Sequence, residues 1–119
     1  METNWPVSPM VDGDPTTATI MVIGMAPGRE ELEQGRPFVG GTGQILFSLL
    51  AEHNLSRADC YMVNVIGGWP DKKSGPSDEQ LAKYQDAFEY LTDKFCGRAV
   101  LILGGDALKR YTGLSGGIS

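Results

Sequence analysis

The residues best equipped for chemistry fall on one long loop and at the end of one apolar run. The loop reads Gly24-Met25-Ala26-Pro27-Gly28, then Arg29-Glu30-Glu31-Leu32-Glu33-Gln34, then Gly35-Arg36-Pro37-Phe38-Val39-Gly40-Gly41-Thr42-Gly43. The apolar run Tyr61-Met62-Val63 leads into Asn64. Phe38 offers a flat ring on which a planar ligand can stack. Asn64 offers a donor and an acceptor in one amide. The glycines of residues 24–28 leave backbone N–H groups open to nearby oxygens, and Glu30, Glu31 and Glu33 are the carboxylates on the same loop.

Each of these residues also has a plainer reading. Phe38 can be a loop anchor packed on a sheet, Asn64 can cap or bridge backbone, and the three glutamates suit a solvated surface. Gly40-Gly41-Thr42-Gly43 can form an anion nest at a helix start, or a tight turn with Thr42 as the cap. The turn is the reading adopted for that stretch.

Three short apolar runs supply the elements that must carry these loops: Ile20 to Gly24, Cys60 to Ile66, and Ala99 to Leu103. They read as buried strands. Between them lie two helical patterns, one with Ile45, Leu46, Leu49 and Leu50 after Thr42, the other with Leu81, Tyr84, Phe88, Leu91 and Phe95. Ser77 and Gln80 form a capping box for the second helix, and Gly97 is placed to end it. A last short helix is expected from Asp106 to Thr112, with Leu108 and Tyr111 facing inward.

Strands alternating with helices imply an α/β fold, a three-layer αβα domain around a three-stranded parallel sheet. The domain is expected over residues 19–119, after an irregular segment 1–18. In such sheets ligands bind beyond the carboxyl ends of the strands. The two longest loops, 25–42 and 67–77, leave from those ends and are too rich in glycine, proline and charge to be simple connectors.

At 119 residues one core is expected, and 41% hydrophobic content with 16 glycines fits a folded domain with long loops. No apolar run approaches a membrane span and the first fifteen residues are not signal-like, so a cytoplasmic location and no membrane contact are expected. Cys60 and Cys96 lack metal-ligand spacing and read as buried free thiols. The formal net charge of −5 works against a strong DNA binder, because nucleic-acid affinity comes mostly from basic residues that displace counterions. Arg36, Lys72, Lys73, Lys109 and Arg110 are the residues from which a local cationic rim could be built.

The run from Gly24 to Leu46 resembles, without a gap, the signature of the family 4 uracil-DNA glycosylases: GEAPG, an acidic stretch, then GRPFVGRAG and two aliphatic residues. Tyr61 to Val65 is similar to that family's second strand, and Leu101 to Leu108 to its third strand and following helix, so the likeness covers roughly Thr19 to Ile118. The resemblance implies recognition of a flipped uracil in DNA and hydrolysis of its N-glycosidic bond. Gly24, Met25, Ala26, Pro27, Gly28, Phe38 and Asn64 would bind the base, with Phe38 stacking on it and the Asn64 amide reading its edge.

The sequence departs from that pattern at the catalytic positions. The family's acid falls on Met25, which can neither orient water nor stabilise a developing cation. A related family carries an aspartate where this chain has Gly41, and others a polar residue where it has Ala26. Glu30 and Glu31 remain as weak candidates. The resembled family's iron–sulfur cluster takes four cysteines, two before the first strand, one in the second loop and one in the long helix. Gly68 and Tyr84 occupy the last two places and no cysteine precedes Thr19, so no cofactor is expected.

The family also continues into a fourth strand and a histidine-bearing loop beyond the point reached by Ser119. A C-terminally incomplete domain is therefore expected, with the strand from Ala99 to Leu103 open at an edge to a second copy or a protein partner. Two main functional readings result, with a nucleotide-binding α/β module, which no P-loop or dinucleotide fingerprint supports, as a weaker third. One is a uracil-DNA glycosylase-like domain with weak or no activity. The other is a non-catalytic DNA- or protein-binding module on the same fold, in a phage protein or a larger DNA polymerase.

Overall fold

The computed structural model of the chain describes residues 8–104, 107 and 111. Its elements are β1 (Val11–Asp12), β2 (Ile20–Gly24), α1 (Arg29–Gln34), α2 (Gly41–Ala51), a 3₁₀ turn (Arg57–Asp59), β3 (Cys60–Asn64), α3 (Asp78–Asp93) and β4 (Ala99–Ile102). The sheet order is β1-β3-β2-β4, with β2 central and parallel to both β3 and β4.

Strand periodicity sorts the core into two faces. Met21, Ile23, Tyr61 and Val63 point one way and pack with Leu81 and Phe88 of α3. Val22, Cys60 and Met62 point the other way and pack with Phe38 and with Leu46 and Leu50 of α2. Helices thus cover both faces of the sheet, the expected three-layer αβα arrangement. The last short helix lies outside the described residues apart from Ala107, which is buried, and Tyr111, which packs against the first core cluster; Leu108 falls among the undescribed.

Several local expectations need correction. The sheet has a fourth strand inside the segment expected to be irregular: β1 pairs antiparallel with β3, Val11 opposite Val63 and Asp12 opposite Met62. Two residues carry no periodicity, so tertiary pairing alone defines this strand. β3 ends at Asn64 rather than Ile66, although Val65 N and Ile66 N still donate to Gly24 O and Met25 O, which ties the chain beyond β3 to the chain beyond β2.

The loop 25–42 contains α1, whose first turn is acidic. Acidic residues suit a helix N-terminus, where unpaired N–H groups concentrate positive charge. α2 starts from Gly40 as its N-cap, so Thr42 is not the cap. α3 ends at Asp93, short of Gly97, with Lys94 as its cap. At its start Ser77 Oγ accepts from Gln80 N as expected, but the Gln80 side chain turns away from Ser77. Its Nε2 donates to Trp69 O and its Oε1 accepts from Asp71 N, pinning the loop 67–77 to the first turn of α3. Cys60 is buried as expected, whereas Cys96, just past the helix, is exposed.

Candidate functional site

β2 and β3 run in register, Gly24 opposite Asn64, so both loops emerge from the same end of the sheet. There a cavity of about 360 Å³ opens, lined by residues 24–28, by Phe38 and Asn64, and by Glu30, Glu31 and the start of α2. Its size falls within the range of small-molecule sites, roughly 300–1,000 Å³. Every residue singled out in sequence for base binding lines this one space, as do the two glutamates and Gly41.

The centre of the site is a close approach at Gly24. A Cβ added there would meet Asn64 Oδ1 at 2.7 Å and Phe38 Cζ at 2.8 Å. Any side chain at position 24 would fill the space between ring and amide, which makes glycine a steric requirement. Asn64 is 2% exposed, and its N–H donates to Met10 O at 2.9 Å. Its Oδ1 is buried with no hydrogen-bond partner among the described residues. An unmade bond at a buried acceptor costs about 1–3 kcal/mol, and Asn64 is one of the residues that line the cavity.

Phe38 packs as a loop anchor and also borders the cavity. It is 8% exposed and belongs to the core beneath α2, and it also lines the cavity. Its φ is 57°, a left-handed conformation that bulky residues rarely adopt and that persists only when surrounding contacts enforce it. Gly43 permits part of that enforcement, because a Cβ there would fall 2.0 Å from Phe38 O.

Glu31 supplies more of it. Surface solvation was the expectation for this residue, but it is buried. Its Oε1 accepts from Gly28 N at 3.0 Å, and its Oε2 from Val39 N at 2.9 Å and Gly40 N at 2.7 Å. One carboxylate thereby staples the start of α1 to the turn before α2. Burial pushes the Glu31 carboxyl upward, but the backbone donors, Gly40 foremost, outweigh it and hold the group below its ordinary value. Sequence reasoning put surface solvation first for all three glutamates because only the folded loop distinguishes the one that turns inward. A glutamate three residues after Gly28, at the start of a helix, was the available signal.

Glu30 is the other carboxylate of the cavity, exposed, with Oε1 3.1 Å from where a Gly40 Cβ would stand. Of the residues considered for a cationic rim, Arg36, Lys72 and Lys73 do not line the cavity, and Lys109 and Arg110 lie outside the described residues. Arg36 instead pairs with Asp12 at 3.4 Å.

The positions where the resemblance puts two cluster cysteines are neighbours: a Cβ on Gly68 would lie 3.8 Å from the Tyr84 hydroxyl. A glycine and a phenol offer no thiolate. Cys60 is committed elsewhere, its Sγ against Ser56 O in the α2-side core, and Cys96 stands exposed beyond α3. The residues present do not fit a four-thiolate cluster.

Over 69 residues the chain is 41% identical to the type-4 uracil-DNA glycosylase of Archaeoglobus fulgidus, covering 58% of this chain and 35% of that protein. It is 41% identical over 63 residues to the type-4 enzyme of Thermotoga maritima, covering 53% and 33% respectively. With that of Sulfurisphaera tokodaii it shares 29% over 93 residues, covering 77% of this chain and 42% of the other. The chain thus spans well under half the length of these curated relatives. The pattern described as the uracil DNA glycosylase superfamily matches residues 10–118, nearly the whole chain and both loops of the cavity, and the chain belongs to that superfamily.

Proposed function

We propose that the cavity between Phe38 and Asn64 receives a flipped uracil from DNA, and that this chain hydrolyses the glycosidic bond weakly or not at all. The carrying observation is the buried Asn64 Oδ1, without a hydrogen-bond partner among the described residues, beside the Phe38 ring. A uracil ring stacked on Phe38 would give that oxygen the N–H donor it lacks, while the adjacent amide N–H faces a ring carbonyl. Residues 24–28 line the same space, and their backbone N–H groups would meet the remaining polar edge.

The weakness of catalysis follows from what the other lining residues are. Met25, Ala26 and Gly41 bring neither acid nor amide to the positions where the resembled families carry them. Glu31 is consumed by three backbone donors, so it cannot serve a sugar or a water. Glu30 is the carboxylate left. These same features favour the second reading, a binding module for uracil-containing DNA or for a protein, working in the cytoplasm without turnover. β4 pairs with β2 alone among the described residues, and its other edge is where a second copy or a protein partner would add a strand.

Incubation with a uracil-containing single-stranded oligonucleotide, followed by alkaline cleavage and by a binding titration, tests both readings. Tight uracil-dependent binding with few strand breaks supports the proposal, and breaks at the rate of an efficient glycosylase support hydrolysis instead. Equal affinity for uracil and thymine oligonucleotides would remove the base slot altogether.

A further inference from the structure

Arg57 lies outside the cavity and on neither of its loops, yet it touches the backbone of the stacking residue. Its Nη2 donates to Pro37 O at 2.7 Å and its Nη1 to Phe38 O at 3.2 Å. Nη2 also meets Asp12 Oδ2 at 2.9 Å, and the guanidinium sits over the Phe47 ring of α2 at 5.4 Å from its centroid. Four elements of the chain meet at this one group: β1, the 37–40 turn, α2 and the 3₁₀ turn that carries Arg57.

We propose that Arg57 is a positioning residue for base recognition, pinning the Pro37 and Phe38 carbonyls so that the Phe38 ring is set beside Asn64 before any ligand arrives. The inference rests on reading the cavity as a base slot. Left-handed backbone at a bulky residue relaxes unless it is held. Glu31 holds the N–H groups after Phe38, and Arg57 holds the carbonyls of Phe38 and the residue before it. The two side chains thus grip the turn from opposite polarities, a carboxylate on donors and a guanidinium on acceptors. The fork geometry matters: a lysine ammonium is a point charge that cannot match the planar set of contacts Arg57 makes. Asp12 and the Phe47 face orient the guanidinium, which gives the short strand β1 a purpose in the site although it contributes nothing to the cavity lining.

Three variants test this: Arg57→Ala, Arg57→Lys and Asp12→Asn. Each is measured for binding to a uracil-containing single-stranded oligonucleotide, for its urea unfolding midpoint, and for the Phe38 amide-to-Hα coupling by NMR, which reads φ without any ligand. Expected are a Phe38 coupling that leaves its left-handed value in Arg57→Ala, and affinity down about tenfold or more while unfolding remains cooperative. Arg57→Lys recovers part of the loss and Asp12→Asn shows a smaller one. Should Arg57→Ala fail to fold, the other two carry the test. An unchanged Phe38 coupling with wild-type affinity in the folded variants overturns the proposal. If the wild-type protein itself ignores uracil, the base-slot reading fails, while the coupling still decides whether Arg57 sets the Phe38 backbone.

Discussion

Asn64 Oδ1 and Phe38 Cζ converge on Gly24, each within 2.8 Å of the point where a side chain would begin. An acceptor without a partner among the described residues, an aromatic ring and a gap kept open by glycine are thereby gathered at the carboxyl end of two parallel strands. Mutations that alter one of the three without the others separate recognition from folding.

Asn64→Leu replaces the amide by an apolar group of similar shape. Removing a buried acceptor that has no partner is close to neutral or stabilising, so the urea midpoint should hold or rise slightly. Affinity for a uracil oligonucleotide should fall at least about tenfold, because a donor and an acceptor to the base edge are both lost. A stability loss above about 2 kcal/mol, with affinity intact, would mean that the amide serves the fold and not the base.

Gly24→Ala fills the gap. The added methyl collides with both Asn64 and Phe38, and overpacking of this kind costs about 1–3 kcal/mol. The ring or the amide must move, so uracil binding should vanish even at temperatures where the variant is fully folded. Isothermal titration of the folded variant checks this.

Glu31→Gln tests the staple. One carboxylate oxygen that accepts from Val39 and Gly40 becomes a donor or turns away, and on the order of 2 kcal/mol of stability should be lost at neutral pH. The pH dependence has a defined sign. A carboxyl held below its ordinary value of 4.5 in the folded state adds stability above that value, and this is lost as pH falls through the folded pKa. Wild type should therefore lose stability on acidification below about pH 4.5, and the variant should lack that component. Asp12, also held low, where burial opposes but the Arg57 guanidinium prevails, leaves a residual acid dependence in both proteins. Parallel curves for wild type and variant would count against the staple.

Met25→Glu is a gain-of-function test. Met25 lines the cavity, and a carboxylate there could orient water or stabilise a developing cation. Alkali-labile breaks at uracil should rise by roughly 10² or more, the ordinary contribution of a placed general base. No rise, with binding retained, would place the missing chemistry elsewhere.

The chain of apolar runs made β2, β3, β4 and the two long helices legible, because buried parallel strands and a spaced apolar helix face are strong periodic signals. Phe38 and Asn64 were singled out together through the resemblance to the family 4 signature, and both line the cavity. β1 was not, since Val11 and Asp12 owe their strand to β3 and to the ion pair with Arg57. α1 was hidden because six residues, all polar but Leu32, look like a solvated loop until Glu31 is seen to turn back on Gly28. Arg57 had no local signal at all: its role depends on contacts 19, 20 and 45 residues away in sequence.

The most direct measurement is a ¹⁵N NMR titration of the protein with matched single-stranded oligonucleotides carrying either uracil or thymine at one position. A base held between Phe38 and Asn64 requires the Asn64 side-chain amide and the backbone amides of residues 24–28 to shift with uracil, and Asn64→Leu to remove the response. Shifts confined to other surfaces, or the same shifts with both oligonucleotides, would contradict a uracil slot at this end of the sheet.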